Sequence, residues 1–155
     1  MNKRVALVDD HALVRAGLRA LVEDQPGYEV VAEGGDGQDV EAILRQARPD
    51  ILLLDLSMKH MGGLDALRQW HGQYPHVQVL ILSMHATADY VLAALRLGAR
   101  GYLLKDASRD EVINALQRVA AGEEALNSAV SARLLRRMTE RNASGAAPVE
   151  SLTAR

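Results

Sequence analysis

Residues 51–63 read ILLLDLSMKHMGG. Ile51 to Leu54 run without a polar break into Asp55, and a short, polar, Met-containing segment follows that ends in Gly62 and Gly63. A wholly apolar run of this length suits a central strand of a parallel sheet, because helices cover both faces of such a strand. Asp55 then falls at the strand's carboxyl end, the edge where ligand chemistry collects in open α/β sheets.

The same alternation repeats on both sides of this strand. Val5 to Val8 is a short apolar run ending at Asp9 and Asp10, and Val14, Leu18, Leu21 and Val22 then mark one face of a helix that Pro26-Gly27 stops. Glu29 to Glu33 reads as a second strand, GGDG at 34–37 as a turn, and Val40, Ile43, Leu44 and Ala47 as the apolar face of a second helix closed by Pro49. Leu64 to His71 forms a third helix and Val77 to Ser83 the fourth strand. Thr87 caps a fourth helix carrying Val91, Leu92 and Leu95, and Gly101 to Lys105 is the fifth strand. Ser108 and Glu111 have the spacing of a capping box opening a fifth helix, with Val112, Leu116 and Val119 on one face. Strands alternating with helices at this spacing predict a doubly wound α/β fold, since parallel strands need right-handed crossovers.

Composition narrows the function. The 155-residue chain has no Cys, which excludes disulfides, thiolate catalysis and Cys-based zinc sites. A net charge of −2 gives no general case for nucleic-acid binding by this segment. The apolar run between Arg4 and Asp9 is too short for a secretory signal, and no stretch has the length of a membrane span, so a cytoplasmic location with no membrane partner is expected.

Beyond Gly122 the pattern changes. Residues 131–141 carry Leu134, Leu135 and Met138 against four arginines, as in an amphipathic helix, and residues 142–148 have the composition of a flexible linker. The expected organisation is one domain over residues 1–122, a linker over 123–151, and a separate short stretch at 152–155.

The strand ends gather the chemistry. Asp9 and Asp10, Asp55, Ser83 and Lys105 all fall on the same rim. Crowded carboxylates raise one another's pKa unless a cation shares the site. A hard divalent ion bound by oxygens fits, Mg²⁺ best, because it takes one or two carboxylates, keeps waters and bridges to phosphate. A carboxylate beside Mg²⁺, with an ammonium and a hydroxyl aimed at the same point, is equipped to accept a phosphoryl group.

With LVDDHALVRAGL, ILLLDLSM, LILSMH and GARGYLLKDAS in register, the chain resembles the receiver domain of bacterial two-component response regulators of the LuxR/NarL type over residues 3–122. The resemblance implies a flavodoxin-like five-stranded parallel sheet, doubly wound, in the order 2-1-3-4-5. It implies that Asp55 accepts a phosphoryl group from a sensor histidine kinase. Asp9, Asp10, Asp55 and the backbone carbonyl of Ser57 would hold Mg²⁺, with Mn²⁺ as the alternative ion. Lys105 and Ser83 would contact the phosphoryl oxygens, and Tyr102 matches the family's switch aromatic. No enzyme activity is expected beyond the domain's own phosphorylation and autodephosphorylation, and phosphorylation would favour a homodimer. SLTAR at 151–155 resembles the start of a LuxR-type helix-turn-helix domain, through which DNA would be bound.

Other readings of the same residues compete. His11, His60 and His85 near the rim invite a transition-metal site, but supporting or surface histidines are the simpler expectation. The arginines at 133, 136, 137 and 141 read as a charged outer helix face before they read as DNA contacts. Lys59 stands where receivers usually carry Pro, Gly62 where an acid or Asn is frequent, and Asp106 where many have a cis-Pro. Lys59 keeps open a receiver-like interaction module that is never phosphorylated. A haloacid-dehalogenase-type phosphatase would want a second Asp two residues after the nucleophile, and Ser57 stands there.

Overall fold

The computed structural model of the chain describes residues 2–85 and 87–145. Its strands are β1 (Lys3–Val8), β2 (Tyr28–Gly34), β3 (Ile51–Leu54), β4 (Gln78–Ser83), β5 (Gly101–Leu104) and β6 (Ala125–Leu126). They form one parallel sheet in the order β2-β1-β3-β4-β5-β6. The helices are α1 (Ala12–Glu23), α2 (Val40–Ala42), α3 (Gly63–Trp70), α4 (Ala88–Arg96), α5 (Arg109–Ala120) and α6 (Ser128–Gly145). None of the described helices is long and apolar enough to cross a membrane.

The expected doubly wound sheet and its 2-1-3-4-5 order are present, with one correction: a sixth strand follows β5. Gly122, at φ 81°, turns the chain back after α5, and the Ala125 amide donates to the Arg100 carbonyl at 3.0 Å. Gly101 permits this close approach, since a Cβ there would lie 2.9 Å from the Ala125 carbonyl oxygen. The sheet thus continues past Gly122, through a strand too short to display a periodicity.

Side chains alternate across the sheet and build two cores. Val5, Leu7, Ile51, Leu53, Leu80, Leu82 and Leu103 pack with Leu18 and Val22 of α1 and with Val112, Leu116 and Val119 of α5. Ala6, Val8, Leu52, Leu54 and Ile81 pack on the opposite face, with Val40, Leu67, Val91 and Ala94. All four residues of β3 are buried, as a strand covered on both faces requires. Each such Leu or Ile contributes about 1.5–3 kcal/mol through burial. The second crossover departs from a simple helix: a 3-10 turn (Gly37–Asp39) leads into α2, and a π-helical segment (Ile43–Ala47) ends at Arg48 with φ 49° before Pro49.

The strand order reverses at β1, which pairs with β2 on one side and β3 on the other. A crevice at such a switch point receives whatever the two strands carry at their carboxyl ends.

Candidate functional site

Register brings the acids together. Val8 pairs with Leu54, so Asp9 and Asp55 leave the sheet side by side, and the Asp55 amide donates to the Val8 carbonyl at 2.9 Å. Two strands away, Ser83 pairs with Leu104, and the Lys105 amide donates to the Ser83 carbonyl at 2.8 Å. From there the Lys105 ammonium reaches back across the rim, with Nζ 2.8 Å from Asp9 Oδ2 and 3.2 Å from Asp55 Oδ2.

One carboxylate oxygen of each of Asp9, Asp10 and Asp55 and a ring nitrogen of His11 all lie within 4.8 Å of one another. Asp9 and Asp55 are buried, while the Asp10 side chain is 30% exposed, so the cluster opens to solvent on the Asp10 side. His11 donates its backbone amide to Asp9 Oδ1 at 2.8 Å, and its Nδ1 stands 3.2 Å from Asp9 Oδ1 and 3.0 Å from Asp10 Oδ1. Arg15 fixes this corner from below by donating to the Asp9 carbonyl.

Burial first, and the Asp9 charge second, push the Asp55 carboxyl above the usual carboxylate range, against the pull of Lys105. For Lys105 burial acts against the ammonium, but the hydrogen bond to Asp9 and the charges of Asp55 and Asp9 outweigh it and hold the group above its ordinary value. The two oxygens of Asp55 differ. Oδ1 accepts from the Ser57 amide at 3.3 Å, whereas Oδ2 is buried without a hydrogen-bond donor although Lys105 Nζ lies 3.2 Å away. The ammonium lies closer to Asp9 than to Asp55, and its Nζ is also 3.4 Å from His11 Nδ1.

Ser83 is fully buried, and its hydroxyl accepts from the His85 amide at 3.0 Å. Tyr102 is turned inward and fully buried, its hydroxyl donating to the His85 carbonyl at 2.5 Å. Burial raises the Tyr102 phenol, and the neighbouring Ser83 hydroxyl partly offsets this. Ser83, Tyr102 and the backbone of His85 therefore form one connected group beside the acids. The three rim histidines separate: His11 joins the carboxylates, the His85 ring stacks on Tyr90 at 5.9 Å, and His60 lies 3.8 Å from Asp36.

Asp36, which reading GGDG as a turn leaves without a role, holds the segment after Asp55. Its carboxylate accepts from the amides of His60 at 2.9 Å and Met61 at 3.0 Å. The capping geometry of Asp36 and Asp39 around the 3-10 turn is the local signal that could have marked it. The Lys105–Asp106 bond is trans, as are the other peptide bonds among the described residues.

The donors around Asp55 Oδ2 fit a hard divalent cation. Three of the four candidate ligand atoms are carboxylate oxygens and the fourth is a His11 ring nitrogen, two of the three acids are buried, and one ammonium among them leaves negative charge in excess. A buried acceptor with no donor is what such an ion would satisfy.

Comparison with known proteins agrees with this arrangement. Residues 5–117 match the response regulator receiver domain. The chain is 36% identical over 152 residues to a nitrate/nitrite response regulator protein homolog of Haemophilus influenzae, covering 98% of this chain and 71% of that protein. It is 38% identical to the uncharacterized transcriptional regulatory protein YxjL of Bacillus subtilis, covering 87% of this chain but only 63% of that relative's length. Among solved structures, a LuxR-family two-component response regulator from Aurantimonas superposes with a TM-score of 0.85 at 33% identity, over 90% of this chain and 99% of that one. The sheet order, the acids at the switch point and the lysine reaching them from β5 therefore have one common account: this chain belongs to the response regulator receiver domain family, among regulators of the LuxR/NarL type.

Proposed function

We propose that this chain is a phosphorylation-controlled switch in which Asp55 takes a phosphoryl group from a phosphohistidine on a sensor histidine kinase. The observation that carries this reading is Asp55 Oδ2, a buried carboxylate oxygen without a hydrogen-bond donor, 3.2 Å from Lys105 Nζ. Oδ2 attacks phosphorus, the P–O bond forms as the P–N bond of the phosphohistidine breaks, and the electron pair leaves on the imidazole nitrogen. Asp9, Asp10, Asp55 and the Ser57 carbonyl would hold Mg²⁺, with Mn²⁺ as the alternative. The ion supplies charge neutralisation for the transferring oxygens. Lys105 moves from the carboxylates toward the new phosphoryl oxygens, and Ser83 exchanges the His85 amide for one of them. Tyr102, already packed inward beside Ser83, transmits that exchange to the α4 side of the sheet.

The output is a shift between two pre-existing conformations. Moving from 1:99 to 99:1 needs about 5.5 kcal/mol of differential stabilisation, within reach of several charge-assisted bonds to one phosphoryl group. The receiver unit, which β6 carries past the expected boundary at residue 122, would pass this through α6 to a DNA-binding domain whose first residues are 152–155; that stretch lies outside the described residues. A homodimer on phosphorylation, a cytoplasmic location and no catalysis beyond its own phosphorylation and autodephosphorylation complete the proposal.

Intact mass after incubation with acetyl phosphate and Mg²⁺ tests it. A gain of one phosphoryl group in the unaltered chain, absent in Asp55→Asn and absent with a chelator, supports the switch. Size-exclusion chromatography of the same samples reads the dimer. No gain under conditions that label an ordinary receiver would leave the phosphorylation-independent interaction module in its place.

A further inference from the structure

Between Asp55 and α3 the chain crosses the rim as Leu56 to Gly62, the segment that carries Ser57. The segment contains no proline, and its backbone is tied locally at two places. The Ser57 amide donates to Asp55 Oδ1 at 3.3 Å, and the Gly63 amide donates to the Leu56 carbonyl at 3.0 Å. Its outer part is held by another element altogether. The Asp36 carboxylate takes the His60 amide on Oδ1 at 2.9 Å and the Met61 amide on Oδ2 at 3.0 Å, while Oδ2 also accepts from Gln38 at 3.0 Å. The next residue returns the bond, the Gly37 amide donating to the Met61 carbonyl at 2.9 Å. A side chain cannot replace Gly37 without moving this segment, since a Cβ there would stand 2.4 Å from the Met61 carbonyl oxygen.

The clamp is therefore reciprocal and charged, and its anchor is firm. Asp36 caps the 3-10 turn that opens the second crossover, and Asp39 Oδ2 accepts from the amides of Gly35 at 2.9 Å and Asp36 at 3.1 Å. The Asp36 side chain is only 14% exposed. Although burial acts to raise its pKa, the Gln38, His60 and Met61 amides outweigh this and keep the carboxyl below its ordinary range. Ionised, it accepts from three backbone amides, those of Gln38, His60 and Met61.

We propose that Asp36 is a positioning residue for the phosphorylation site, holding the Leu56–Gly62 segment so that the Ser57 carbonyl stands ready for the divalent ion beside Asp55. This rests on the reading of Asp55 as phosphoacceptor. Asp36 touches neither the reacting atoms nor the ion, and acts through the backbone of His60 and Met61. Outer residues that orient a metal ligand typically govern metal affinity by about 10–100-fold. Loosening the segment raises the ion concentration needed more than it lowers the rate at saturation, because Asp55, Asp9, Asp10 and Lys105 are untouched.

The test is the initial rate of acetyl phosphate labelling as Mg²⁺ is varied, for the unaltered chain, Asp36→Ala, Asp36→Asn and Gly37→Ala. Asp36→Ala is expected to raise the Mg²⁺ half-saturation about tenfold, with a smaller change in the saturating rate. Asp36→Asn, which keeps one acceptor oxygen, falls between. Gly37→Ala displaces the segment from the other side and reproduces the shift without altering the carboxylate, which keeps the test available if Asp36→Ala does not fold. Faster amide exchange at His60 and Met61 in Asp36→Ala accompanies the shift. If the unaltered chain labels and both folded Asp36→Asn and Gly37→Ala match its Mg²⁺ half-saturation, the inference is overturned and the reading of Asp55 stands. If the unaltered chain does not label at all, the reading of Asp55 falls first.

Discussion

Lys105 Nζ lies 3.2 Å from Asp55 Oδ2, yet that oxygen is buried without a hydrogen-bond donor. The ammonium lies closer to Asp9 Oδ2, 2.8 Å away, and from there offsets the charge of both carboxylates. Removing it leaves three carboxylates facing one another with no compensating charge. Lys105→Met is expected to lose about 3 kcal/mol of stability at neutral pH, as for a buried pair stripped of one partner. Urea unfolding at neutral and acid pH checks this. The loss should shrink in acid, where the carboxylates protonate; an equal loss at both would mean that packing, not charge, was removed.

Asp55→Asn should act in the opposite direction. The folded state raises the Asp55 pKa, so the unfolded chain ionises first as pH rises, and ionisation then weakens the fold. The cost is absent below the unfolded-state pKa and fully present above the folded-state one. The Asn variant is therefore expected to melt higher than the unaltered chain at neutral pH in the absence of Mg²⁺, with the difference disappearing in acid. Thermal unfolding across that range measures it, and a lower melting point for the variant at neutral pH would count against the sign.

A divalent ion bound among Asp9, Asp10 and Asp55 must stabilise the folded state by mass action. At 100 times its dissociation constant Mg²⁺ should add about 2.7 kcal/mol, and Asp10→Asn should remove most of that response. Chemical unfolding with and without the ion shows whether it does. An undiminished response in Asp10→Asn would place the ion elsewhere.

On α6 two contacts make contrasting predictions. Val130 is fully buried with Ala94 and Tyr102 in one core, whereas Arg137 meets Asp89 at 2.8 Å on an exposed surface. Val130→Ala is expected to cost about 2 kcal/mol, and Arg137→Ala less than about 1 kcal/mol. Equilibrium unfolding of both variants decides the ranking, and a larger loss for Arg137→Ala would reverse this account of how α6 is held.

Local sequence determined the frame of this molecule. The apolar runs at Val5–Val8, Ile51–Leu54 and Val79–Leu82 had one reading, since a strand covered on both faces tolerates nothing else. Each chemistry-bearing residue stands directly after its run, so Asp9, Asp55, Ser83 and Lys105 are legible as one rim from the sequence. Tertiary structure alone decided what depends on distant partners. β6 is two residues long and exists because Gly101 lets Ala125 approach, which no periodicity encodes. The buried face of α6 is set by Val130 and Leu134 meeting the α4 side of the sheet, while Leu135 and Met138, apolar in the same pattern, remain exposed. The clamp from Asp36 to His60 spans 24 residues, and its hydrogen bonds go to backbone amides, which every sequence carries alike. Side-chain pattern reveals burial; it is blind to a carboxylate that finds its partners on another segment's main chain.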